Sequence, residues 1–131
     1  MTIKSVVVAD DEPHLAHILA YTLKKAGMTV HVACNGAECI KLAAEVQPDL
    51  IVSDFQMPVL DGLAACVKMK HDPRTAHIPV LMLTARGHRL TEQELSQTNI
   101  RGVLPKPFSA RQLVEKIASF EQPTDTQRVA A

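Results

Sequence analysis

The sequence predicts an α/β domain, a doubly wound open sheet of five parallel strands. Two observations carry this prediction. Five short aliphatic runs alternate with segments of helical period, an order that requires βαβ crossovers. The runs are continuous rather than alternating in polarity, as suits strands buried on both faces. With 131 residues, 47% hydrophobic and only 3% aromatic, the chain is one domain with an aliphatic, alanine-rich core.

Each element has its own local reason. Val6, Val7 and Val8 form the first strand, which runs out at Asp10 and Asp11. Leu15, Ile18, Leu19, Leu23 and Ala26 then recur as one apolar helical stripe, with Pro13 suited to its first turn and Gly27 to its stop. Met28 to Ala33 is the second strand. Asn35, followed three residues on by Glu38, resembles a capping box opening a second helix through Val46. Leu50 to Asp54 is the third strand, and Asp61 caps a third helix reaching about His71. Ile78 to Thr84 is the fourth strand. Thr91 and Glu94 make another capping-box pair before a short polar helix in which Leu90 and Leu95 are the clear apolar residues. Val103 and Leu104 mark a brief fifth strand. Ser109 with Gln112 opens the last helix, whose apolar face is Leu113, Val114 and Ile117. Residues 122–131 lack any apolar period and are expected to be a disordered tail.

Composition excludes several function classes. Lys+Arg and Asp+Glu are balanced at 14 each, so no general field draws the chain to nucleic acid or anionic lipid. Cys34, Cys39 and Cys66 contain no CxxC and suit small buried roles rather than a disulfide framework or zinc site. His14 and His17 are spaced as HxxH on the first helix, but no third nitrogen or sulfur ligand accompanies them, which favours ordinary surface histidines. The acidic turn "DDEPH" lacks the glycines of a nucleotide-binding loop. The N-terminus does not have the form of a signal peptide and no apolar run is long enough to span a membrane, so a cytoplasmic protein is expected.

In a doubly wound sheet, ligands bind beyond the carboxyl ends of the strands. Asp10 and Asp11, Asp54, Thr84 and Lys106 all fall at those ends. Each acid alone could simply cap a following helix. Together they require a neutralising proton or cation, since clustered carboxylates repel one another. An oxygen-only donor set favours a hard divalent ion such as Mg²⁺. A lysine and a hydroxyl beside it are the parts that hold phosphoryl oxygens.

The segments "ADDE", "DFQMPVLDG", "LMLTA" and "PKPF", in this order and spacing, resemble the receiver domains of two-component response regulators, including single-domain chemotaxis regulators. The likeness runs from about Ser5 to Phe120 and implies the flavodoxin-like (βα)₅ receiver fold, with residues 1–121 as the receiver domain. It implies that Asp54 accepts the phosphoryl group, Asp11 ligates Mg²⁺ directly, and Asp10 holds the metal's water shell. The Gln56 backbone carbonyl would complete the protein ligands. Thr84 would be the switch hydroxyl, Lys106 the phosphoryl-pairing lysine, and Lys106–Pro107 a cis peptide. Gln56 and Arg86, two residues beyond Asp54 and Thr84, would tune dephosphorylation. Val103 departs from the family, which usually has an aromatic relay residue there; a valine can occupy the vacated space but lacks the ring and its swing, which bears on the readout through that face. The expected partners are a sensor histidine kinase or histidine phosphotransfer protein, and a downstream protein on the face of helix four, strand five and helix five. Direct nucleic-acid or membrane contact is not expected.

Other functions remain to be weighed. A receiver-like scaffold that is never phosphorylated usually lacks one of these acids, the threonine or the lysine, and all are present. A Mg²⁺-dependent phosphohydrolase with an Asp nucleophile wants a second acid two residues on, where this chain has Gln56. The expected protein is a signalling switch rather than an enzyme, either standing alone or as a segment of a larger regulator.

Overall fold

A computed structural model describes residues 2–121; the expected tail at 122–131 lies outside the described residues. Five strands and five helices alternate as β1(Ser5–Ala9), α1(Pro13–Lys25), β2(Thr29–Ala33), α2(Gly36–Val46), β3(Leu50–Asp54), α3(Gly62–Lys70), β4(Val80–Thr84), α4(Glu92–Ser96), β5(Ile100–Pro105) and α5(Ala110–Ser119). All pairings are parallel, in the order β2-β1-β3-β4-β5. Among the described residues no helix is long and apolar enough to cross a membrane.

Strand pleating sorts the core into two layers. Val7, Ile51, Val80 and Met82 meet Cys39 and Ala43 of α2 and Ala65, Cys66 and Met69 of α3. Val6, Val8, Leu50, Val52, Leu81 and Leu83 turn the other way, onto Leu19 and Leu23 of α1 and Leu113 and Ile117 of α5. Both β3 and β4 are buried along their whole length. The outer strand β2 has a neighbour on one side only, and its Val32 is 42% exposed.

Helix starts follow local chemistry. Side chains of Asn35, Asp61, Thr91 and Ser109 accept backbone N–H bonds at the starts of α2 to α5. The boxes at Thr91/Glu94 and Ser109/Gln112 are reciprocal, whereas Glu38 reaches past Asn35 to the Cys34 N–H at 2.8 Å. Gly27 ends the first helical segment with φ +98°, a conformation open chiefly to glycine.

Four expectations need correction. Ile18 is 46% exposed, because α1 buries Ala16, Leu19, Ala20 and Leu23, a face rotated away from Ile18. Ile78 is buried but precedes β4, which begins after Pro79, a residue with no N–H for a ladder. β5 extends from Ile100 to Pro105, well beyond the Val103–Leu104 pair. Cys34 is exposed, unlike Cys39 and Cys66, because it stands in the loop before α2.

Candidate functional site

The register brings the acids together. Ala9 pairs with Ser53, and Asp54 pairs with Leu83, so Asp10, Asp54 and Thr84 leave β1, β3 and β4 at neighbouring levels. The next backbone bonds extend that frame: Asp10 N–H to Ala33, Phe55 N–H to Leu83, and Lys106 N–H to Thr84 at 2.8 Å. Each polar group therefore stands at a strand tip whose backbone is fixed by its neighbour. Carboxylate oxygens of Asp10, Asp11 and Asp54 lie within 4.8 Å of one another, the only such group of three or more ligating side chains among the described residues. His14 and His17 do not belong to it.

Electrostatics set this edge apart from a row of helix caps. Asp54, 9% exposed, accepts Lys106 Nζ at 2.9 Å and the Phe55 N–H at 2.9 Å, both on Oδ1. Asp10 is 2% exposed; its Oδ1 accepts the Glu12 N–H at 3.0 Å, while its Oδ2 is buried with no hydrogen-bond partner. Burial is the main cause that holds the Asp10 carboxyl above the usual carboxylate range; the Glu12 N–H opposes this and the Asp54 charge adds to it. One lysine amid three acids leaves the cluster short of positive charge. The donor set fits a hard divalent cation: oxygen ligands alone, a buried orphan oxygen on Asp10, and an exposed, adjustable Asp11.

A cleft of about 670 Å³ opens over the cluster, lined in part by Asp10, Asp11, Asp54, Gln56, Lys106 and His88. The remaining residues of interest sit elsewhere. Thr84 is wholly buried behind the cleft, and its Oγ1 has no partner. Arg86 is exposed on the loop after β4 and does not line the cleft. Val103 pairs with Met82 in the sheet and borders a separate hollow between α4 and β5. The Lys106–Pro107 peptide is cis.

Sequence reasoning missed one wall of the cleft. His88 stacks on Phe55, ring centroids 4.5 Å apart and tilted by 53°. The His88 N–H returns to the Ala85 carbonyl at 3.0 Å across a tight turn in which Gly87 has φ +82°. Gly87 was the available signal, since a glycine of this kind marks a chain reversal. What the reversal would bring against Phe55 had no local signature. By contrast, burial pushes the Cys39 thiol up to about 12 and raises Cys66 further, so both act as packing groups.

Comparison with known proteins agrees with this geometry. A family model described as the response regulator receiver domain matches residues 6–118. The DNA-binding dual master transcriptional regulator RpaA of Synechocystis sp. (strain ATCC 27184 / PCC 6803 / Kazusa) is 33% identical over 120 residues, 92% of this chain. That stretch is 50% of the relative, so the chain spans about half its length. Among solved structures, the chemotaxis response regulator CheY4 of Vibrio cholerae superimposes with a TM-score of 0.81 at 29% identity, covering 90% of this chain and 98% of that one. The N-terminal domain of a response regulator receiver protein from Methanoculleus marisnigri JR1 gives 0.70 at 32% identity, covering 90% and 96%.

Proposed function

The chain belongs to the response regulator receiver domain family, and from that premise we propose that Asp54 accepts a phosphoryl group from a phosphohistidine and thereby switches partner binding. One observation carries the reading: Asp54 shares a single cleft with Asp10, Asp11 and Lys106, with its Oδ1 already engaged and its Oδ2 accepting neither of those bonds. Oδ2 is then the oxygen that attacks phosphorus in line. An O–P bond forms as the donor's N–P bond breaks, and the imidazole leaves with the bonding pair. Lys106, already 2.9 Å from the carboxylate, moves its charge to the transferred oxygens.

Asp10, Asp11, Asp54 and the Gln56 backbone carbonyl would hold a Mg²⁺ ion. Such an ion supplies charge neutralisation for the phosphoryl oxygens. The unpartnered Thr84 hydroxyl then has an acceptor to turn toward, and its movement draws the following loop inward. Attack of water on phosphorus restores the carboxylate and releases phosphate, so the modified state has a finite lifetime. The donor is a sensor histidine kinase or a histidine phosphotransfer protein. The output partner binds across α4, β5 and α5, with Val103 in place of an aromatic relay residue, and the receiver unit comprises residues 1–121.

Incubation with acetyl phosphate and Mg²⁺, followed by intact-mass measurement, tests the proposal. The expected product carries one phosphoryl group, does not form when Mg²⁺ is chelated beforehand, and is absent from Asp54→Ala. A wild-type chain that stays unlabelled while a control receiver labels would overturn it.

A further inference from the structure

We infer that Gly36, on α2 and outside the cleft, is a positioning residue for the Gln56 carbonyl, an inference that rests on the metal reading above. The loop from Phe55 to Gly62 is pinned at two places. At its base the Gly62 N–H bonds the Phe55 carbonyl at 2.9 Å, and a Cβ on Gly62 would lie 2.3 Å from the Asp54 carbonyl oxygen. At its tip the Gly36 N–H bonds the Leu60 carbonyl at 2.9 Å, and a Cβ on Gly36 would lie 2.2 Å from that oxygen and 3.0 Å from its carbon. Both obstacles are backbone, which no side-chain rotation can clear.

The tip has little slack with which to yield. The Leu60 N–H closes back on the Pro58 carbonyl at 2.7 Å around Val59, whose φ of +68° is a strained value for a β-branched residue. Asp54 is held by the ladder of β3, so displacement of Leu60 passes through this tight turn into residues 56–58. Those residues line the cleft. The helix side is equally fixed: Asn35 accepts the Glu38 N–H, Glu38 accepts the Cys34 N–H, and Gly36 is the first helical residue. The start of α2 thus acts as a template for a carbonyl on another part of the fold.

Direct Mn²⁺ titration of the purified chain, with free ion followed by electron paramagnetic resonance, tests this. Gly36→Ala is expected to raise the dissociation constant about tenfold, the usual scale for displacing a group that orients a metal ligand. Labelling by acetyl phosphate should then half-saturate at higher Mg²⁺ yet reach the wild-type plateau. Ala43→Gly loosens the same helix and removes a buried methyl without touching the loop, and should leave the Mn²⁺ affinity alone. Val59→Gly gives the turn slack without removing a buried contact, and should also weaken Mn²⁺. Wild-type affinity in a folded Gly36→Ala overturns the inference, as does the same loss in Ala43→Gly. Should Gly36→Ala fail to fold, wild-type affinity in Val59→Gly overturns it instead. A wild-type chain that binds no Mn²⁺ removes the metal reading itself, and with it this inference.

Discussion

Gln56 and Arg86 each follow a strand-end residue by two positions, yet the fold uses them differently. Gln56 lines the cleft over Asp54, while Arg86 stands on an exposed turn and His88 reaches the cleft in its place. Shortening Gln56 or His88 to alanine opens the mouth of the site to water. Either variant is expected to shorten the phosphoryl half-life of Asp54 severalfold, whereas Arg86→Ala should keep the wild-type lifetime. Following loss of the phosphoryl adduct by intact mass distinguishes the three. At this scale the strand-end acids, Thr84 and Lys106 were legible because their chemistry and their place after apolar runs coincide in the sequence. The Phe55–His88 stack was not, because it joins two loops that only the completed sheet brings side by side.

Caps that look alike at the level of hydrogen bonds should differ in effect at the level of the element. Ser109 caps α5, which seats Leu113 and Ile117 in the core, so Ser109→Ala should lower global stability by about 1 kcal/mol. Thr91 makes an equivalent capping box, but α4 is five residues long with none buried. Thr91→Ala should therefore speed amide exchange in α4 and leave the thermal midpoint nearly unchanged. Denaturant unfolding and hydrogen exchange check the pair. Helix starts were readable because a cap and its target lie three residues apart. The direction of α1 was not, since Ile18 fits an apolar stripe by spacing and only packing shows which face turns inward. β5 outruns its sequence signature for a related reason: Arg101 and Gly102 interrupt its apolar pattern, yet Gly102 pairs with Leu81 of β4 and Arg101 is the extra residue of a bulge between Ile100 and Gly102.

For the molecule as a whole, the acid cluster works against the fold that holds it. Asp10 has its carboxyl raised above the ordinary 3.8 chiefly by burial, so the folded state takes up that proton more readily than the unfolded chain. The penalty for ionised Asp10 is therefore complete above the raised value and fades as pH falls toward 3.8. In chelator near neutral pH, Asp10→Asn should melt several degrees above wild type, with a gap that narrows on acidification. Added Mg²⁺ should raise the wild-type midpoint and have less effect on the variant, as thermal unfolding followed by circular dichroism would show.

The parallel sheet also has a polarity. Every strand points its carboxyl end at the cleft, while at the opposite edge Asp49 accepts the Lys4 and Ser5 N–H groups and joins β1 to the start of β3. In evolutionary terms this divides the molecule into two economies of change. Substitutions at the cleft edge are judged by chemistry, and those at the far edge by packing and by whether the strands still begin in register. A change in the loops there reaches the carboxylates at the other end only through the strands between them.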